Sequence, residues 1–138
     1  MRSFETFDHT ADIGLIARGR TLKGLFANAA AGLVDLMVDP AGLREEAATT
    51  VTVSAADRVA LLVAWLNELL YLLDVRRFLP RRICVTTLGE TTLKAELSGD
   101  TIDPARHAVR RMIKAATYHG LSLIHTNGVW EARVILDL

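Results

Sequence analysis

The densest collection of reactive groups lies near the start of the chain. Asp8, His9, Thr10, Ala11 and Asp12 set two carboxylates, an imidazole and a hydroxyl just ahead of an apolar alternating run. Hard divalent cations take oxygen ligands, so Asp8 and Asp12 are suitable donors, with further carboxylates to come from elsewhere in the fold. The ordinary alternative is a turn whose aspartate and threonine side chains accept from nearby amides. A second concentration of oxygens stands at the other end, where Asp137 and Leu138 follow an apolar strand and a main-chain carboxylate would neighbour the Asp137 side chain. Its ordinary alternative is a frayed, solvated end. Lys114, Thr117, Tyr118 and His119 form a third polar group that can face phosphate or a partner protein. Tyrosine and histidine beside a glycine more commonly pack half-buried, and the same holds for His107 and His125.

Several chemistries have no support. There is no nucleophile elbow, P-loop, dinucleotide fingerprint or zinc-protease motif, and the glycines are scattered singly. Sixteen basic against sixteen acidic residues give no global field toward phosphate backbones or anionic lipid. Arg76, Arg77, Arg81 and Arg82 around Phe78 read as a solvated loop between helix and strand, and Arg44, Glu45 and Glu46 as solvated surface. The single cysteine, Cys84, cannot form an intrachain disulfide and reads as structural, which is compatible with a reducing compartment. The early arginine precedes no signal-peptide core. The longest apolar stretch, 59–73, is broken by Asn67 and Glu68 and falls short of the roughly 20 residues of a membrane span. A cytoplasmic protein is expected.

These candidate groups need elements to hold them. Leu22, Leu25, Phe26, Ala29, Ala30, Leu33 and Met37 recur on one helix face, with Thr21 as N-cap and Pro40 just past the end. A second helix opens at Asp57 and carries Leu61, Leu62, Trp65, Leu66, Leu69, Leu70 and Leu73 on a broad stripe. Alternation predicts strands with Ile13, Leu15 and Ala17, and with Val51, Val53 and Ala55, on one face. A hairpin turns at Gly89-Glu90 between Ile83, Val85, Thr87 and Leu93, Ala95, Leu97. A clearer hairpin turns at Asn127-Gly128, the pair suited to a type I′ turn, between 121–126 and a strand facing Trp130, Ala132, Val134 and Leu136 one way. Residues 104–118 stay open. Asp103 and Pro104 can start a helix with Ala105, Ala108, Val109, Met112, Ile113 and Ala116 on its stripe, whereas a strand through 112–118 suits a sheet-rich chain. With 39–49 as a polar excursion, the expected fold is α+β: a two-layer sandwich in one domain over 1–138, two main helices packed on one face of a largely antiparallel sheet.

Five blocks, read in order, resemble the archeases. They are Asp8-His9-Thr10-Ala11-Asp12-Ile13-Gly14, the first helix with Phe26 and Ala29, 61–70 (LLVAWLNELL), 113–119 (IKAATYH) and the ending Ile135-Leu136-Asp137-Leu138. The resemblance implies an accessory protein rather than an enzyme. Its expected partner is the metal- and GTP-dependent RNA ligase that joins 3′-phosphate or 2′,3′-cyclic-phosphate ends to 5′-hydroxyl ends in tRNA splicing and RNA repair. Archeases act in a chaperone-like way, promoting formation of the guanylylated-histidine ligase and its repeated turnover, so RNA is met only indirectly. The resemblance also implies a divalent metal on Asp12, Asp137 and Leu138, and oxygen-only ligation admits calcium, magnesium or manganese. Asp8, His9, Lys114, Tyr118 and His119 are then candidates for lining the site or meeting the partner. Family patterns favour an extended chain at 112–118, carry Gly-Glu where this chain has Gly99-Asp100, and often end in isoleucine where this chain has Leu138.

Two rivals come from other functional classes. A metal-dependent phosphoesterase or nuclease working alone could be assembled from Asp8, Asp12, Asp137 and His119. A free-standing RNA-binding module is opposed by zero formal charge and an aromatic content of 6%, since such modules rely on a basic groove with stacking rings.

Overall fold

The structure, a computed structural model, describes residues 1–9 and 12–138, the side chains of Asp8 and His9 excepted. Its fold class is the expected α+β arrangement of two helices on antiparallel sheet, and the sheet is divided in two. Strands β1 (Phe4–His9), β2 (Asp12–Gly19), β6 (Ala115–Thr126) and β7 (Val129–Asp137) form a four-stranded sheet in the order β1-β2-β7-β6. Strands β3 (Ala47–Ser54), β4 (Phe78–Leu88) and β5 (Thr92–Thr101) form a three-stranded sheet in the order β3-β5-β4. Helix α1 (Leu22–Met37) packs on β2 and on β4 and so touches both sheets, while α2 (Arg58–Arg76) lies mainly against β6.

Both helices start where their caps predict. The Thr21 hydroxyl accepts from the Gly24 amide at 3.0 Å, and the Asp57 carboxylate from the Ala60 amide at 2.8 Å, each satisfying one orphan donor of a first turn. Leu25, Phe26, Leu33, Leu61, Trp65 and Leu66 are fully buried, each such side chain contributing roughly 1.5–3 kcal/mol through the area it removes from water. Where the helices meet, the buried indole of Trp65 donates to the Phe26 carbonyl at 2.9 Å.

Turn chemistry agrees at one hairpin and shifts slightly at the other. Asn127 and Gly128 have φ of 53° and 76°, the two positive values a type I′ turn demands. The β4–β5 connection takes three residues, Gly89–Thr91, rather than the pair Gly89-Glu90, and Gly89 N–H donates to the Thr92 carbonyl. The basic segment after α2 is not a loop: Arg77 alone, at φ 55°, separates α2 from β4, so Arg81 and Arg82 lie in the strand. Cys84 is exposed on β4 and takes no structural place in the core.

Residues 102–114 form neither the long helix nor a strand until Ala115. Arg106 and His107 N–H donate to the Asp103 carbonyl, and the Asp103 side chain accepts from Ala105 N–H, which completes one helical turn. Propagation then fails because the next donors go elsewhere: Arg110 N–H to Met37 O and Lys114 N–H to Asp137 O. The result is an arch that crosses the C-terminal end of α1, where the Arg110 guanidinium bonds the Asp35 carbonyl. Cations suit that end because they meet the negative pole of the helix. Among the described residues, no helix is long and apolar enough to cross a membrane.

Candidate metal centre

The two ends of the chain meet. β2 and β7 are adjacent and antiparallel, and their register places Asp12 directly opposite Asp137. Directly opposed residues of an antiparallel pair project to one face with Cβ atoms about 4.5–5.5 Å apart. Ile13 and Leu136, the next opposed pair, are buried in the core beneath the helices, so alternation turns Asp12 and Asp137 to the outer face. Asp12 is half-buried and Asp137 exposed.

Asp137 is ordered by neighbours on both sides. Ala115 of β6 pairs with it, and Lys114 N–H donates to its carbonyl at 2.8 Å. A frayed end would show neither bond. β6 is itself braced by α2: the Asn67 carboxamide accepts from Ala116 N–H at 2.8 Å and donates to Ala116 C=O at 3.1 Å. One side chain thereby takes the place of a neighbouring strand along an edge that would otherwise offer bare backbone groups. Leu138 follows Asp137 directly and is partly exposed.

Behind the acidic pair the outer face becomes apolar. Phe7, Gly14, Ile135 and Thr117 form the next row across the four strands. A Cβ on Gly14 would run into the Phe7 ring, so glycine lets that ring lie across β2. Arg133 sits over the ring at 4.2 Å, a cation–π contact, and Ile135 is buried.

The donor chemistry fits a hard cation. Two carboxylates facing each other across a single ladder step repel, and a divalent ion between them converts that repulsion to attraction. Among the described residues there is no group of three or more His, Cys, Asp or Glu side chains that could hold a metal. Two aspartates with one main-chain carboxylate would therefore make a partial shell. Hard cations accept six or more oxygens, so such a shell leaves positions for water or for oxygens of another molecule.

The remaining candidates are distributed unevenly. The backbones of Asp8 and His9 pair opposite Ile13 and Asp12, while Thr10 and Ala11 lie outside the described residues. Lys114 is exposed and, with Leu138, lines a cleft of about 600 Å³. Tyr118 and His119 are not in the acidic row. The β6–β7 ladder jumps from Thr117↔Ile135 to Ser122↔Arg133, so 118–121 bulge from the sheet around Gly120 at φ 62°. Tyr118 is 65% exposed on that bulge.

Two features went unread in the sequence. Asn67 was visible only as a polar interruption of the α2 stripe. Asp100 is the other, 2% exposed at the end of β5, where Arg106 reaches it through two bonds of 3.0 and 3.1 Å. Arg44 N–H donates to the same carboxylate at 2.9 Å, and His107 Nε2 lies 3.1 Å away. Since Asp103 N–H donates to His107 Nδ1, the ring proton sits on Nε2 and is given to Asp100. The Arg106 guanidinium, aided by the Arg44 amide and His107, holds the Asp100 carboxyl well below the usual carboxylate range. Gly99 beside it is obligatory in its own way, because a Cβ there would strike the Leu79 carbonyl of β4. The knot anchors the start of the arch that leads to Lys114.

Comparison with known proteins gives a consistent picture. A sequence model of the Archease protein family matches residues 4–138. The protein archease of Methanosarcina acetivorans is 37% identical over 141 residues, covering 99% of this chain and 97% of the relative. That of Sulfolobus acidocaldarius is 33% identical over 139 residues, with full coverage of both. The solution structure of Methanobacterium thermoautotrophicum protein 1598 superposes with a TM-score of 0.81 at 34% identity, covering 100% of both chains. A crystal structure from Thermotoga maritima, described as an archease and possible chaperone, has a TM-score of 0.62 at 20% identity and shares the fold, covering 100% of this chain and 98% of its own.

Proposed function

The chain belongs to the archease family, and from that premise we propose that it is a cytoplasmic accessory protein that activates a metal- and GTP-dependent 3′-phosphate RNA ligase. It promotes guanylylation of the ligase and its multiple turnover in tRNA splicing and RNA repair, acting in a chaperone-like way and catalysing no step itself. The observation that supports this reading above others is the register of Asp12 against Asp137, which gathers oxygen donors from residues 125 positions apart (137 − 12) into one step of the ladder.

In this reading Asp12, Asp137 and the main-chain carboxylate of Leu138 hold one divalent cation: calcium, magnesium or manganese. When bound, the cation supplies positive charge where phosphates must be neutralised for nucleotidyl transfer. The protein's own groups do the holding. Asp12 and Asp137 present lone pairs from one sheet face, Lys114 N–H ties down the Asp137 carbonyl, and the Asn67 brace fixes β6 beside β7. Asp8, His9, Lys114, Tyr118 and His119 are assigned to the face that meets the ligase. Such a face shifts the ligase toward its competent state only by binding that state better than the alternatives. A zero formal charge accords with RNA being met through the ligase rather than directly.

The test is ligase turnover on RNA with 3′-phosphate ends, with and without this protein, comparing the parent with Asp12→Ala and Asp137→Ala. The parent is expected to raise turnover and both variants to lose most of that effect. Undiminished stimulation by both would remove the metal role. Metal-dependent hydrolysis of cyclic-phosphate RNA by the parent alone would favour a stand-alone phosphoesterase instead.

A further inference from the structure

Four of the large apolar side chains exposed on the described residues belong to the arch and the C-terminal half of α2. Tyr71 and Val75 of α2, and Val109 and Met112 of the arch, are each more than half exposed, with Met112 at 82%. Between them the arch and the C-terminal half of α2 enclose two clefts of about 350 and 600 Å³. Leu70, Asp74, Met112 and Ile113 line both, which makes them one continuous trough. Its floor is apolar, from Leu70, Ile102 and Ile113, and its far end opens beside Lys114 and Leu138. Clustered apolar exposure of this kind, rimmed by charge, marks a recognition surface more often than a chance of packing.

The rim chooses the occupant. Arg77 and Arg111 stand over one cleft and Lys114 over the other, three cations against the carboxylates of Asp74 and Leu138. Arg77 is held in the left-handed conformation at the end of α2, with its N–H bonded to the Leu73 carbonyl, so its guanidinium projects from a fixed backbone position. The arch wall is equally fixed. Asp100 anchors Arg106 and His107 at one end, Arg110 and Arg111 bond carbonyls at the end of α1, and Lys114 N–H is tied to β7. A preformed apolar channel with a net basic rim suits an extended protein segment carrying one or two large apolar anchors flanked by aspartate or glutamate.

We propose that this trough is a docking site for an acidic, apolar-anchored segment of the partner ligase, running along α2 toward the candidate metal centre. The proposal rests on the functional reading above and adds a surface to it. The apolar anchor seats between Leu70, Tyr71 and Met112, and the carboxylates meet Arg77 and Arg111.

The test is direct binding of purified ligase, read by fluorescence anisotropy, together with ligase stimulation, for the parent, Met112→Lys, Met112→Leu and Arg77→Asn. Each variant is also checked for thermal midpoint and Mn²⁺ affinity. Met112 is too exposed for its replacement to disturb the core, and asparagine tolerates the left-handed backbone of Arg77. Met112→Lys is expected to weaken ligase binding by about tenfold or more, with Met112→Leu near the parent. Arg77→Asn is expected to weaken it less and to flatten its salt dependence. Midpoints and Mn²⁺ affinity should stay at parent values. Parent-like binding and stimulation by both Met112→Lys and Arg77→Asn would overturn the docking site while leaving the functional reading intact. A parent that neither binds nor stimulates the ligase would overturn the functional reading and this partner together. Loss on Arg77→Asn of affinity for a 3′-phosphate RNA oligonucleotide, with ligase affinity retained, would reassign the trough to nucleic acid. Concentration-dependent dimerisation abolished by Met112→Lys would reassign it to a second copy of the chain.

Discussion

Single side chains divide into those proposed to hold a cation and those that hold the fold. For the first kind, Asp12→Asn and Asp137→Asn remove one negative charge each while keeping shape, and each is expected to weaken Mn²⁺ binding by about tenfold or more, roughly 1.4 kcal/mol, in titration calorimetry. For the second kind, Asp100→Asn breaks a buried charge-assisted set of bonds and is expected to cost about 2 kcal/mol in urea unfolding. The pH dependence has a definite sign. The Asp100 carboxyl is depressed in the folded protein, so its contribution is complete above the unfolded value of about 3.9 and is lost as acidity pushes below it toward the folded value. The parent should therefore lose stability more steeply below about pH 4 than Asp100→Asn does, in denaturant titrations across that range. Asp12 and Asp137 were legible as candidate ligands because short acidic runs stand out, though their pairing came from family resemblance rather than from spacing. The Asp100 knot was not legible. Its donors come from Arg44, Arg106 and His107, which only the turn at 103–107 brings together.

Elements were readable wherever their signals are local. Caps at Thr21 and Asp57 and the Asn127-Gly128 turn rest on bonds spanning a few residues, and all three are in place. The arch was ambiguous because its helical pattern is real: Asp103 does start a turn, and only tertiary acceptors at Met37 and Asp137 draw the following amides away. Asn67 shows the same lesson from a helix, where a polar residue on an apolar stripe serves as a strand partner. Asn67→Ala is expected to cost about 1–3 kcal/mol by leaving both Ala116 groups without it. Hydrogen exchange at Ala116 and Lys114 should accelerate in that variant, while amides in the middle of α1 keep their protection. Uniform acceleration across the protein would instead mark Asn67 as a general stabiliser with no special hold on β6.

At the scale of the molecule, the fold class followed from periodicity, but the division into two sheets did not, since pattern alone cannot say which strands pair. β2 and β7 are the two central strands of the four-stranded sheet, and their contact closes a loop of more than a hundred residues. The proposed cation between them would have no site in the unfolded chain, so mass action should raise global stability. With free Mn²⁺ at about 100 times its dissociation constant the gain is about 2.7 kcal/mol. Differential scanning calorimetry should show the midpoint rising with Mn²⁺ in the parent and staying level in Asp12→Asn. A rise of equal size in both would place the ion elsewhere. The central position of β7 has a consequence for synthesis on the ribosome. Because that strand sits between β2 and β6, a nascent chain can stack its helices and finish the three-stranded sheet while the other sheet still lacks its middle member. The ladder step that sets Asp12 opposite Asp137 therefore forms only after both helices and the three-stranded sheet have been synthesised.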